Sequence, residues 1–226
     1  MKIKENIYYV GVNDKDIDLF EGQYQVPNGM AYNSYIIMDK KIAVFDTVDE
    51  RFYSEWLENI AAVVKDKEPD YLIVQHMEPD HSGSVMQFVT KYPNTKIVAS
   101  SKAFVMMKNF FGTNFEDKQV VVSKDSTLDL GCHKLIFVEA PMVHWPEVIM
   151  TYETTQKVLF SADAFGKFGS LDTDEEWACE ARRYYFGIVG NMVYLFKTYL
   201  KQLLTLTFKQ SAHYTDQYLQ KTYLII

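Results

Sequence analysis

The sequence predicts an α+β chain built as a mixed sheet sandwich, and two observations carry that expectation. Strand-like runs interleave with helical segments, and some neighbouring strands join as hairpins instead of through crossover helices. With 226 residues and no internal repeat, low-complexity tract or Pro/Gly linker, one domain is the simplest organisation.

The elements follow in order. Ile7–Val12 and Tyr35–Met38 are β-branched or aromatic runs bounded by Asn, Gly and Asp. Lys41–Asp46 (KIAVFD) is an apolar run ending in an acid, the pattern of a buried strand. Tyr53–Lys65 places Trp56, Leu57, Ile60, Ala61, Val63 and Val64 on one helical face. Asp70–Gln75 (DYLIVQ) is a second buried strand. Ser84–Lys91 reads as a helix and Lys96–Ser100 as a strand, and the Ser100-Ser101 pair then starts a helix over Ser101–Phe111. Gln119–Val122 and Lys134–Glu139 are strands separated by a turn at Gly131. Val148–Tyr152 and Lys157–Ser161 form a hairpin around Glu153–Gln156.

Composition narrows the class. Charged residues make up 23% and hydrophobic residues 48%, the balance of a globular chain and not a disordered one. Aromatic side chains at 15% supply ample core material. A net charge of −7 and a pI near 5.3 disfavour nucleic acid or an anionic membrane as partner. No apolar run reaches the roughly 18–20 residues of a membrane span, and the N-terminal MKIKEN lacks the apolar stretch of a secretory signal. Cys132 and Cys179 form no CxxC pair and no disulfide framework, so the expected location is a reducing cytoplasm.

The informative stretch is Gln75-His76-Met77-Glu78-Pro79-Asp80-His81-Ser82-Gly83. Four potential ligands fall directly after a buried strand, at the carboxyl end where sheets deliver side chains to sites. His76 and Glu78 alternate like strand neighbours and can point to one side. Asp80 and His81 follow the turn-forming Pro79 and can serve a second point in space. Mixed imidazole and carboxylate donors suit zinc, iron or manganese. Two further candidates sit at strand ends: His144 after Lys134–Glu139, and Asp163 after Lys157–Ser161. Alone, each reads as a turn residue.

The order HxExDH, then His, then Asp resembles the metallo-β-lactamase superfamily, and Glu78 at the third motif position narrows the resemblance to the diiron domain of the flavodiiron proteins. Tyr9–Asp14, Tyr32–Tyr35, Phe45–Val48, His144-Trp145-Pro146-Glu147 and Arg183–Phe186 support the same resemblance, which spans residues 7 to about 190. It implies an αββα metallo-β-lactamase-like fold over residues 1–190. It also implies two iron ions: His76, Glu78 and His144 on one, Asp80 and His81 on the other, and Asp163 bridging. The implied reaction is reduction of O2 to water or of NO to N2O, with electrons from FMN or a rubredoxin-type donor, in a homodimer. Trp145, beside a ligand histidine, is then expected near the partner's FMN. A zinc-dependent hydrolase of the same fold and a non-catalytic remnant are the alternative readings.

Two parts of the family pattern are missing. The chain has no room for the flavodoxin-like domain that carries FMN, so the domain is expected to be impaired alone. The last family ligand, a histidine in a segment resembling CPLHGP, has no counterpart: His213 lacks the flanking Gly and Pro. Reading the third base of each codon with the first two of the next makes CPLHGP available across Ser211–Gln217, with His213–Tyr214 forcing Leu. The same shift allows Asn191–Leu200 to be reread as YGVPVQNLL. Residues 191–226 are therefore expected to be frameshifted text, with an apolar tail from Tyr218 to Ile226 that has no designed place to pack. Among weaker signals, Gly166–Ser170 reads as a tight loop beside the metal site and not as a phosphate loop. His133, flanking the Gly131 turn, reads as a surface residue. DNA sequencing around codon 191 tests the shift. Restoring one base is expected to open an uninterrupted frame through CPLHGP, and a closed frame contradicts it.

Overall fold

The computed structural model describes residues 1–174 and 176–190, together with the backbone of residues 223–225. The amino-terminal part holds β1 (Lys2–Lys4), β2 (Ile7–Tyr9), β3 (Val12–Asp14), β4 (Leu19–Phe20), β5 (Tyr24–Gln25), β6 (Met30–Tyr32), β7 (Tyr35–Ile37) and β8 (Ala43–Phe45). Helices and strands then alternate through α1 (Tyr53–Val64), β9 (Tyr71–Ile73), α2 (Pro79–Ser82), α3 (Val85–Lys91), β10 (Lys96–Ser100), α4 (Ser101–Phe111) and β11 (Gln119–Val122). A meander of β12 (Thr127–Asp129), β13 (Lys134–Glu139), β14 (Ile149–Glu153) and β15 (Val158–Phe160) follows, then α5 (Trp177–Tyr184) and β16 (Tyr223–Ile225).

Among the described residues the strands form two large sheets. The first has the order β1-β2-β7-β8-β9-β10-β11, and the second β12-β13-β14-β15-β16. In the first, β8 through β11 run parallel, while β1, β2 and β7 are antiparallel. The parallel run exists because α1 and the α2–α4 segments carry the chain back between strands, whereas the connections of β12–β15, four, nine and four residues long, are too short for a parallel crossover. The two small pairs β3–β6 and β4–β5 lie outside both. Expected as one strand, Ile7–Val12 is thus divided: Val12 pairs with Tyr32 in the small sheet.

The period-2 alternation of the strands builds two cores. Ile36, Val44, Leu72, Ile97 and Ala99 pack with Trp56, Ile60, Phe88, Phe104 and Met107 of the helices. The intervening Tyr35, Ile37, Ala43, Phe45, Ile73 and Val98 pack with Leu135, Phe137, Ile149, Val158 and Phe160 of the second sheet. Phe45 and Phe160 stack across that interface with ring centroids 4.0 Å apart, at the strand ends that carry the functional loops. The helix face read from the spacing of α1 is the buried one: Trp56, Leu57, Ile60 and Val64 are covered. The start of α4 is set by Ser100, whose hydroxyl accepts the Ala103 N–H, and its end by Gly112 at φ 74°.

Two expectations are corrected. The tail does find a strand neighbour, since Tyr223–Ile225 pairs in parallel with β15. An open sheet edge accepts an apolar extended segment through main-chain bonds, whatever its origin. The second correction is His133, which is 2% exposed. The Asp39 carboxylate accepts its backbone N–H, and its Nδ1 faces Glu153 Oε1 at 3.2 Å. Glu153 raises the His133 pKa against the opposing effect of burial. Burial pushes Glu153 up, but His133 and the N–H groups of Gln156 and Thr155 outweigh it and hold the carboxyl below its usual range.

The sign of the resulting pH dependence is fixed. A raised histidine contributes its stability below the unfolded value of 6.5 and loses it as pH rises through the folded one; a lowered Glu contributes above 4.5. Replacing His133 with Gln is therefore expected to cost on the order of 3 kcal/mol near pH 5.5 and clearly less at pH 9, read from urea unfolding at the two pH values.

Candidate metal centre

Four strand ends converge at one edge of the sandwich. Asp46 (φ 50°) directly follows β8, Met142 (φ 66°) lies two residues before His144, and Ala162 (φ 47°) immediately precedes Asp163. Left-handed non-glycine residues at these positions hold the site loops in uncommon conformations, which persist because the surrounding structure over-determines them.

After β9 the chain runs extended through His76 to Glu78 and then turns into α2. Pro79, expected to make a turn, instead opens this single helical turn, a position that suits a residue without an N–H. Glu78 is the residue before the helix, and its carboxylate makes no capping bond; it reaches into the cluster instead. Glu78 Oε2 lies 3.2 Å from His76 Nε2 and 3.0 Å from His144 Nε2. Asp163 Oδ2 lies 3.3 Å from each of the same two nitrogens. Its other oxygen, Oδ1, is 2.9 Å from His81 Nε2, which also has Asp80 Oδ2 at 3.8 Å. All six residues singled out in the sequence therefore meet at one place. His76, Glu78, His144 and Asp163 each offer a donor atom within 4.8 Å of the others.

The donor set fits a metal. Asp80 Oδ1 and Asp163 Oδ2 are buried without an aligned hydrogen-bond donor among the described residues. Such oxygens are costly to bury unless a cation meets them. In the metal-free cluster, protons take that role. Burial alone disfavours charge on His76, but Glu147, Glu78 and Asp163 overcome it and raise its pKa to about 9. His144 is raised to about 10 against burial by Asp163 and Glu78. Burial pushes Glu78 up, yet its bonds from His144 and His76 bring it down to about 2. Asp80 goes the other way, to about 7, because burial is reinforced by Glu78 and Asp163.

Two openings reach the cluster. A cleft of about 620 Å³ is lined by Glu21, Arg51, Glu78, Asp80 and Trp145. The Trp145 ring stands edge-on to His76 at 5.2 Å. A smaller cavity of about 190 Å³ is lined by Tyr35, Gln75, Asp80, His81, Asp163 and Tyr184. The Gly166–Ser170 loop does flank this second opening. A Cβ at Gly166 would come within 2.7 Å of the Tyr184 ring, so glycine allows the loop to close on that aromatic. His213 lies outside the described residues.

Asp46 and Glu147 lie inside the segments Phe45–Val48 and His144-Trp145-Pro146-Glu147, whose motif assigns them no role. Asp46 Oδ2 is 3.2 Å from His81 Nδ1, and Glu147 Oε1 is 2.8 Å from His76 Nδ1. Their signal in the sequence is an acid ending a buried strand and an acid three residues after a candidate ligand histidine. Glu21, on the turn between β4 and β5, carried no signal. Burial and the neighbouring Glu78 raise its pKa to about 7.

The family described as ODP family beta lactamase matches residues 30–209, most of the chain. The chain belongs to that family. This ODP domain is 37% identical over 196 residues to an anaerobic nitric oxide reductase flavorubredoxin of Salmonella paratyphi B, a match covering 83% of this chain and 41% of the relative. It is 38% identical over 167 residues to a flavo-diiron protein of Clostridium acetobutylicum, covering 74% and 42%. Among solved structures, rubredoxin oxygen:oxidoreductase of Desulfovibrio gigas superposes with a TM-score of 0.85 at 31% identity, covering 92% of this chain and 53% of that one. The flavodiiron protein of Giardia intestinalis gives 0.83 at 30%, covering 90% and 51%. The resemblance read from HxExDH thus holds in sequence and in fold. The chain spans about two fifths of the length of these curated relatives.

Because His76 and His144 hold protons up to about 9 and 10 in the metal-free cluster, a metal must displace them. Metal affinity of the ODP domain is expected to rise with pH and to flatten only in the 9–10 region. Titrating Zn(II) against a competing chelator at pH 6, 7 and 8 checks this, and a pH-independent affinity contradicts it.

Proposed function

We propose that the ODP domain holds two iron ions and is the site at which O2 is reduced to water or NO to N2O. In this reading His76, Glu78 and His144 hold one iron, Asp80 and His81 hold the other, and Asp163 bridges them. Asp163 carries the reading: one carboxylate oxygen faces His76 and His144 while the other faces His81, the arrangement of a carboxylate shared between two ions. Two adjacent irons would supply paired electrons and binding positions for both atoms of O2 or for two NO molecules.

The protein residues contribute charge and access. Glu78, Asp80 and Asp163 offset much of the charge of two cations and offer hard oxygen donors. The names of the relatives, nitric oxide reductase and oxygen:oxidoreductase, support a redox role over hydrolysis, as does Glu78 at a position where hydrolytic members of the superfamily usually carry His. Trp145 closes one face of His76 and lines the wider cleft, which supports entry of electrons there from the FMN of a flavodoxin-like domain or from a rubredoxin-type donor. Among the described residues no helix is long and apolar enough to cross a membrane; a cytoplasmic homodimer completes the proposal.

In the same reading, residues 1–190 are the diiron domain and residues 191–226 are out-of-frame text; the codon compatibility of CPLHGP supports that boundary, and the family match running on to residue 209 stands against it. The second iron then keeps Asp80, His81 and Asp163 but lacks an imidazole from the tail. Loss of a direct ligand weakens a metal more than the roughly 10–100-fold of an outer-shell change.

Metal analysis after aerobic purification tests the proposal. Iron as the dominant metal, approaching two per chain when supplied in excess, is expected. Two zincs with esterase or lactonase turnover would identify a hydrolase instead, and less than one metal per chain a non-catalytic remnant. Without an added flavin partner, the purified chain is expected to show no NADH-linked consumption of O2 or NO in an electrode assay.

A further inference from the structure

We propose that Glu147 and Asp46 are positioning residues that hold His76 and His81 in the metal-binding tautomer and strengthen them as donors through their negative charge. The inference rests on the metal-centre reading above and extends it beyond the six ligands.

Each carboxylate makes the same pair of contacts. Glu147 Oε1 lies 2.8 Å from His76 Nδ1 and also accepts the Met77 N–H at 2.8 Å. Asp46 Oδ2 lies 3.2 Å from His81 Nδ1, and its Oδ1 accepts the Gln75 N–H at 2.6 Å. The backbone on both sides of His76 is therefore tied down from two different sheets: Asp46 follows β8 in one, and Glu147 precedes β14 in the other. Glu147 is fixed in turn by Ser100 at the end of β10, whose hydroxyl donates to its carbonyl oxygen at 2.8 Å. Asp46 occupies a left-handed conformation at φ 50°, a cost its fixed carboxylate contacts offset.

The consequence is chemical as well as mechanical. An imidazole that binds a metal through Nε2 carries its proton on Nδ1, and a carboxylate accepting that proton selects the tautomer and makes Nε2 the better donor. Both Nε2 atoms point into the cluster, at Glu78 and at Asp163. The pairs are unequal. His76 and Glu147 are both fully buried and close, whereas the His81 contact is longer and Asp46 is shared with the Gln75 side-chain amide at 3.2 Å. Among the described residues the ion pairs of Glu147 are confined to His76, and its second oxygen is buried without a donor. The charge of Glu147 is therefore directed at the His76 imidazole.

The test separates charge from clamping. Glu147→Gln keeps an oxygen for the Met77 N–H and for Nδ1 but removes the charge. Co(II) is added to the metal-free chain of residues 1–226 under chelator competition, with the visible absorption of the bound ion recorded. E147Q is expected to weaken the tighter Co(II) by about 10–100-fold and to shift its absorption bands, in a metal-free chain that still unfolds cooperatively but at a lower melting temperature, because the buried His76–Glu147 pair is broken. D46N is expected to weaken the second Co(II) and spare the first, and it carries the test alone should E147Q not fold. Unchanged affinity and bands in a variant that keeps the metal-free fold, or loss of that fold in both variants, overturns the inference. An unaltered chain that binds no Co(II) would instead overturn the metal-centre reading itself.

Discussion

Burying three carboxylates and three imidazoles within contact distance is the constraint on which the rest of the molecule depends. Glu78, Asp80 and Asp163 face His76, His81 and His144 at the end of the sandwich. Isolated charges in such a place are strongly disfavoured, so each must be met by a partner. Protons shared between the groups achieve this in the metal-free protein, and two divalent cations would do so more completely. The strained residues Asp46, Met142 and Ala162, the glycine at 166 and the one-turn helix after Pro79 all follow from the need to bring these side chains together.

The sandwich supplies the rigidity. Strand alternation gives the first sheet one face for the helices and one for the second sheet, so Asp46 and the His76–His81 segment are carried on one sheet and His144, Glu147 and Asp163 on the other. The Phe45–Phe160 stack joins the two sheets beside Asp46 and Ser161. A side-chain cluster assembled across a sheet–sheet interface keeps its geometry because neither half can slide without opening a close-packed core.

Much of this was legible in the sequence because the period-2 and 3.6-residue patterns are local. The bounds of α4 at Ser101 and Phe111 and of β10 at Lys96 and Ser100 agree with the reading. The six clustered residues were legible from motif order, HxExDH followed by a His and an Asp at strand ends. What escaped needed knowledge of neighbours in space. His133 reads as exposed beside Gly131, and only the β13–β14 pairing brings Glu153 to it. The roles of Asp46 and Glu147 depend on which strands lie on either side of His76, and Glu21 reaches the cluster from a turn with no motif. Pro79 favours both a turn and a first helical position, so its local preference could not choose between them.

The central claim is that Asp163 is shared between two metal ions. The most direct measurement is anomalous X-ray diffraction at the iron edge from crystals of the iron-loaded chain. The account predicts two iron peaks, one beside His76, Glu78 and His144 and one beside Asp80 and His81, with the Asp163 carboxylate between them. A single peak, or two peaks of which neither touches Asp163, would contradict it.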